Sequence, residues 1–179
     1  MVRNSLTRLL PSLIFCLYSA LLASSSIGAE APFKTYADPA KRFTFEYPST
    51  MKVETPDPDT VKISHPGASL RITVVVEKRQ QRRDTKVEPL LAAFKKTLER
   101  EMTETAIMEE GKLPGPAERQ GYVICAYKDR RGMRFVQLVQ YWLSEGNLLQ
   151  MTISDIPAGF KNLDKVIREI HQSLRIDKL

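Results

Sequence analysis

The sequence predicts an α+β fold, an antiparallel β-sheet flanked by helices. Three observations carry that prediction. Segments of period-two alternation outnumber helical ones and are joined by turns of hairpin length, so neighbouring strands run antiparallel. Only two stretches change to a helical period, and each has one apolar face that a sheet must cover. Residues 74–76, 123–126 and 135–143 are apolar on both faces, as strands are when both sides are covered, which puts the helices on opposite sides in an α/β/α sandwich.

Taken in order, residues 1–29 form a secretory signal and stand outside the fold. Arg3 and Arg8 supply a basic start, residues 9–23 are almost continuously apolar, and Ser24 to Ala29 is a small-residue cleavage region. The triplet Ala29-Glu30-Ala31 is the more regular motif. It would leave Pro32 first in the mature chain, where proline hinders a peptidase, so cleavage is expected after Ala29. The apolar run is shorter than the ~20 residues a spanning helix needs, and Pro11 and Tyr18 interrupt it; a retained anchor is the minor alternative. Cys16 follows Phe15 and not the small residue that a lipid-modified cysteine requires. The expected product is a periplasmic or secreted protein, residues 30–179 forming one domain with no integral membrane segment.

Residues 31–40 read as a polar lead with a turn at Asp38-Pro39. Phe43, Phe45 and Tyr47 alternate with Thr44 and Glu46, Pro48 ends that strand, and Met51 and Val53 restart the pattern as the second arm of a hairpin. Thr55 to Asp59, with two prolines and two carboxylates, is a turn, and residues 60–64 alternate again up to the turn at His65-Pro66-Gly67-Ala68. Residues 70–77 are the strongest strand signal in the chain. From Val87 the period is helical, with Leu90, Leu91, Phe94 and Leu98 on one face and Glu88-Pro89 in the first turn. Strands follow at 106–113, 121–127, 133–143 and 148–154, separated by Pro114-Gly115-Pro116, a charged hairpin ending in Gly132, and Glu145-Gly146-Asn147. Phe160, Leu163, Val166, Ile167, Ile170 and Leu174 make a closing amphipathic helix, with Asp164 and Arg168 paired on its outside.

With Tyr36-x-Asp38 ahead of it, the run Phe43-Thr44-Phe45-Glu46-Tyr47-Pro48-Ser49-x-Met51-x-Val53 resembles the opening of the PsbP and DcrB group, which also contains the Ran-binding Mog proteins of the nucleus. The shared pattern is Phe-x-Phe-x-Tyr-Pro, a short turn and commonly a tryptophan; Met51 stands at that last place. A central strand ending near Glu77, a helix with Leu91-x-x-Phe94, a three-stranded meander and a closing helix ending Ile170-x-x-Ser173-Leu174 fit as well. The resemblance implies a PsbP/Mog-like α/β/α sandwich over nearly all of residues 30–179. It implies little about function, because members bind unrelated partners and none of their contact residues transfers to this chain.

The chain carries 27 Lys and Arg against 21 Asp and Glu, a net charge of +6, which falls to about +4 once Arg3 and Arg8 are removed. That mild, interspersed excess is not the footprint of a nucleic-acid binder. Cys125 alone remains after cleavage, so no internal disulfide can form, and its place between Ile124 and Ala126 in a strand predicts burial and a monomer. A Cys125/His171 nucleophile pair would need an accessible thiolate, the opposite of that environment. His65 falls in a turn and His171 on a helix flank. Glu54, Asp57, Asp59 and His65 could hold Ca²⁺ weakly, but the plainer reading is a solvated turn, and no Cys/His pair has zinc spacing. No catalytic residue, metal or cofactor is assigned.

Lys78, Arg79, Arg82 and Arg83 precede one helix, and Lys128, Arg130 and Arg131 occupy a hairpin tip. Converging, they would make a positive edge for anionic lipid head groups, an envelope polymer or an acidic protein; otherwise they are solvated loops. The function expected is a non-enzymatic exported binding or assembly-accessory protein whose partner is an envelope protein or an anionic envelope component. The alternative is a small-molecule or lipid-binding protein that uses a cleft between helix and sheet.

Overall fold

The computed structural model describes residues 32–78, 86–113, 119–144, 146–162 and 164–177. The signal segment, Arg79, Arg82, Arg83 and Leu163 lie outside these residues.

The aromatic run forms a strand, as its alternation requires, but in a small sheet of its own. β1 (Phe33–Ala37), β2 (Phe43–Pro48) and β10 (Arg175–Ile176) form three strands with β2 in the middle. Residues 33–37 are therefore a strand and not a polar lead. The Asp38-Pro39 signal proves to be the β1–β2 hairpin turn, closed by Lys41 N–H to the Asp38 carbonyl (2.8 Å) and Asp38 N–H to the Phe43 carbonyl (3.0 Å). Pro48 does set a corner, with the Met51 N–H on its carbonyl (3.0 Å). The chain beyond that corner does not fold back on β2 as a hairpin arm; it enters the second sheet.

That sheet has seven strands in the order β3-β4-β5-β9-β8-β7-β6: β3 (Lys52–Asp57), β4 (Thr60–Ser64), β5 (Arg71–Lys78), β6 (Thr103–Lys112), β7 (Gln120–Lys128), β8 (Arg134–Ser144) and β9 (Asn147–Asp155). Every pairing is antiparallel, as the short turns dictate. At the β7–β8 turn Gly132 takes φ +79°, a left-handed conformation that glycine adopts without a Cβ clash.

Alternation on the strands divides the core in two. On one face Val61, Ile63, Ile72, Val74, Leu138, Trp142, Leu149, Met151 and Ile153 pack against Phe43 and Phe45 of the small sheet and against Val166, Ile167 and Ile170. On the other, Val123, Val139, Tyr141, Leu143 and Leu148 pack beneath Val87 and Leu91 of α1 (Glu88–Glu101). β8 is thus buried on both faces, as its apolar residues at both odd and even positions predict. At β5 only Ile72, Val74 and Val76 are fully buried, because α1 lies over β6 and β7 and leaves Val75 partly open. α1 comes this close because Gly121 has no side chain: a Cβ there would lie 3.0 Å from Leu91 Cδ1 and 3.1 Å from Val87 Cγ1.

The closing helix is described as two segments, α2 (Pro157–Asn162) and α3 (Asp164–Ser173), on either side of Leu163. α2 starts where Asp155, buried at the end of β9, accepts the Ile156 N–H (2.7 Å) and the Ser69 hydroxyl. α3 lies against β2 and leads into β10, so the small sheet and α3 together cover one face of the large sheet. Among the described residues no helix is long and apolar enough to cross a membrane.

Candidate functional site

Strand register and helical spacing build a cleft of about 230 Å³ between α3 and strands β6, β7 and β8. Antiparallel pairing sets Tyr122 opposite Gln140 and Ile124 opposite Leu138, and alternation points all four to the α3 side of the sheet. On α3 the cleft residues are Asp164, Ile167, Arg168 and His171, spaced i, i+3, i+4 and i+7, a single helical face. Phe160 of α2 and Leu113 beyond β6 close the apolar part.

The polar groups sit at two depths. Inside, Gln140 is 1% exposed and its Nε2 lies 2.5 Å from Nδ1 of half-buried His171. The Gln140 Oε1 has no hydrogen-bond partner among the described residues, an expensive condition for a buried amide in a dry site. Burial lowers the pKa of His171 and favours its neutral form. At the mouth, the Tyr122 hydroxyl donates to Glu109 (2.5 Å); that bond, with burial and the glutamate charge, holds the phenol above its usual pKa. Arg168 Nε reaches Asp164 at 2.7 Å, and Lys112 Nζ lies 3.7 Å from Glu88.

Sequence reasoning placed the Asp164–Arg168 pair correctly and missed the rest of the cleft. His171 stands half-buried on the helix flank, where the turn that buries Ile170 brings it to Gln140. Gln140 did carry a signal: Leu138, Gln140 and Trp142 share one face of β8, and it is the lone polar member.

Of the basic groups, the described ones, Lys78 on one side and Lys128, Arg130 and Arg131 on the other, stand at opposite ends of the sheet. Lys78 pairs with Asn147, which pairs with Ser144 at one end of β8, whereas Lys128 pairs with Arg134 at the other. Those ends are roughly 34 Å apart at 3.4 Å per residue. Lys128 is ion-paired with Glu104, which also holds Arg134 at 2.9 Å. Arg130 and Arg131 are exposed at the hairpin tip, beside Met133 at 50% exposure. Arg79, Arg82 and Arg83 fall outside the described residues.

Two other groups weighed for chemistry are committed elsewhere. Cys125 is fully buried on the α1 side of the sheet, opposite to His171, and desolvation raises its thiol pKa to about 11. The carboxylate-bearing turn is not merely solvated. Asp57 caps the Asp59 N–H (2.9 Å), and Asp59 pairs with Arg42, which also donates from Nε (2.8 Å) and Nη2 (2.9 Å) to buried Asp38. The residue that organises this turn lies 17 positions upstream, beyond the reach of a local reading. Among the described residues no group of three His, Cys, Asp or Glu is placed to hold a metal ion.

No protein-family model matches the chain, and no curated protein matches it in sequence. Solved structures do. The Ran-binding protein Mog1p of Saccharomyces cerevisiae superposes with a TM-score of 0.60 at 8% identity, over 82% of this chain and 96% of its own. Cyanobacterial PsbP from Synechocystis gives 0.59 at 14% identity, over 88% and 99%. LpqN of Mycobacterium tuberculosis, a protein involved in cell envelope biogenesis, gives 0.54 at 13% identity, over 83% and 87%. The fold is therefore PsbP/Mog-like, as the opening aromatic run implied; at these identities the likeness extends to the fold alone.

Proposed function

We propose that the chain is a non-enzymatic binding protein, exported through residues 1–29 to the periplasm or the exterior, that holds a small ligand between α3 and the sheet. The observation that carries this reading is the buried Gln140 amide, which lines a cleft of mixed polar and apolar character and whose Oε1 has no hydrogen-bond partner among the described residues. A pre-formed apolar concavity with a few convergent polar groups is the usual form of a ligand site. The pairings inside it do not amount to a catalytic set. A nucleophile needs a base within hydrogen-bond reach, but the one described thiol is on the opposite face, and the Tyr122 phenol is pushed away from ionisation. The fold shared with LpqN supports an envelope setting.

The test is native mass spectrometry of the protein recovered from an envelope fraction, alongside N-terminal sequencing. A small bound mass is expected, together with a chain beginning at Glu30. Ile124→Trp, which fills the cleft, should remove that mass while the melting transition is retained. Survival of the adduct in this variant would put the ligand elsewhere.

A second reading, docking of an envelope protein or anionic envelope component on the β7–β8 hairpin, is favoured by exposed Arg130, Arg131 and Met133. Reversing both arginines to Glu should then abolish cross-linking to that partner; unchanged cross-linking would remove the hairpin from consideration.

A further inference from the structure

We infer that the cleft takes the neutral end of a small ligand, a hydroxyl or a carboxamide, and seats it against Gln140 and His171. This rests on the cleft being a binding site, and it specifies the chemistry that the site accepts.

The close contact between Gln140 Nε2 and His171 Nδ1 uses one hydrogen-bonding atom of each side chain. If the amide N–H donates to Nδ1, the ring proton sits on the imidazole Nε2, and the pair is left with an acceptor, Gln140 Oε1, and a donor, the imidazole Nε2–H. If the amide is turned over, Nδ1–H donates to Oε1, and the pair is left with an amide N–H donor and an imidazole nitrogen acceptor. The two roles invert together. In either arrangement the pair offers one donor and one acceptor, which a group that both donates and accepts can satisfy. A hydroxyl or a primary carboxamide does so. A carboxylate only accepts and an ammonium only donates, so each would leave one member of the pair unmatched.

The mouth agrees with a neutral ligand. Glu109 and Asp164 stand among Lys112 and Arg168, and the Asp164–Arg168 pair is closed at 2.7 Å, so no excess of one sign draws an ion inward. Desolvation also favours the uncharged imidazole deeper in the cleft. Between the two polar levels, Leu113, Ile124, Leu138, Ile167 and Phe160 offer apolar surface for the body of the ligand. At about 230 Å³ the space falls below the ~300–1,000 Å³ typical of drug-sized pockets, enough for about one ring with a short polar arm.

The experiment titrates the protein with five one-ring probes: benzyl alcohol, benzamide, toluene, benzoate and benzylammonium. Affinity and site are read from the Gln140 side-chain amide and His171 imidazole NMR signals. The alcohol and the amide should bind about tenfold more tightly than the other three and shift both signals. In Gln140→Leu, with its fold checked by circular dichroism, that preference over toluene should vanish. If this variant does not fold, His171→Phe tests the same pair. Benzoate or benzylammonium binding as tightly as benzyl alcohol would overturn the inference, as would a preference that survives loss of the amide. Entry of toluene alone would overturn the inference and leave the cleft as a binding site. Entry of no probe would sink both.

Discussion

Arg42 links parts of this structure that a local reading keeps apart. Its guanidinium joins Asp38 in the β1–β2 turn to Asp59 in the β3–β4 turn and also donates to the Pro58 carbonyl (2.8 Å), so one side chain ties the two sheets together. Burial alone would raise the Asp38 pKa; the Arg42 hydrogen bonds and charge outweigh it and hold the carboxyl below its usual value. Arg42→Ala would leave that buried carboxylate with backbone N–H donors but no counter-charge, and a loss of about 3 kcal/mol is expected in urea unfolding. His171 gives a pH-dependent counterpart. Its pKa is lowered in the folded state, so below about 6.5 the unfolded chain binds the extra proton first. Stability present above that pH should be lost as pH falls towards the folded value. Wild type should therefore lose more thermal stability between pH 7.5 and 5.5 than His171→Gln does; equal losses would show that the ring titrates normally. Cys125, shielded on the α1 face with a raised thiol pKa, should resist alkylation in native buffer and react only after denaturation.

At the scale of elements, period-two and period-3.6 patterning located almost every strand and helix. Patterning did not say which strand pairs with which. The aromatic strand illustrates this. Phe43 and Phe45 stack at 6.2 Å with Tyr36 lying 5.6 Å from Phe45, and both phenylalanines are fully buried, so the alternation was read correctly. Phe45→Ala should cost about 3–5 kcal/mol in denaturant unfolding, and a loss under ~1 kcal/mol would place the ring at the surface. The partners of that strand, β1 and the two-residue β10, were missed because five residues whose aromatics, Phe33 and Tyr36, do not alternate and a pair at a helix end carry too little periodicity to register. The α2–β9 junction was equally hidden. A Cβ on Gly159 would lie within 2.3–2.8 Å of the Asp155 carboxylate, so α2 can approach the end of β9 only because that position is glycine. Gly159→Ala should destabilise by about 1–3 kcal/mol in the same assay, the usual cost of overpacking.

For the molecule as a whole, both outer strands of the large sheet resist further pairing. β6 carries register shifts at 103/106 and 107/109, a positive φ at Glu104, and Met108 at 62% exposure; β3 carries Pro56 and a shift between Glu54 and Asp57. Bulges, charges and proline on an edge block strand addition. The chain should therefore sediment as a monomer at micromolar concentration, and a stable dimer in analytical ultracentrifugation would contradict this. The α+β class, the antiparallel pairing, the buried cysteine and both core faces of β8 were legible in the residues, because turn chemistry and hydrophobic period act over fewer than ten positions. The likeness to Mog1p and PsbP folds was implied by the resemblance of the Phe-x-Phe-x-Tyr-Pro run to that group. Other features awaited the tertiary structure: the division into two sheets, the placing of Lys78 and Lys128 at opposite ends of one of them, and the meeting of Gln140 with His171. Each depends on strand order or on contacts between residues distant in sequence, such as the 31 positions separating that last pair, and no local pattern encodes which distant segments the collapsed chain will bring together.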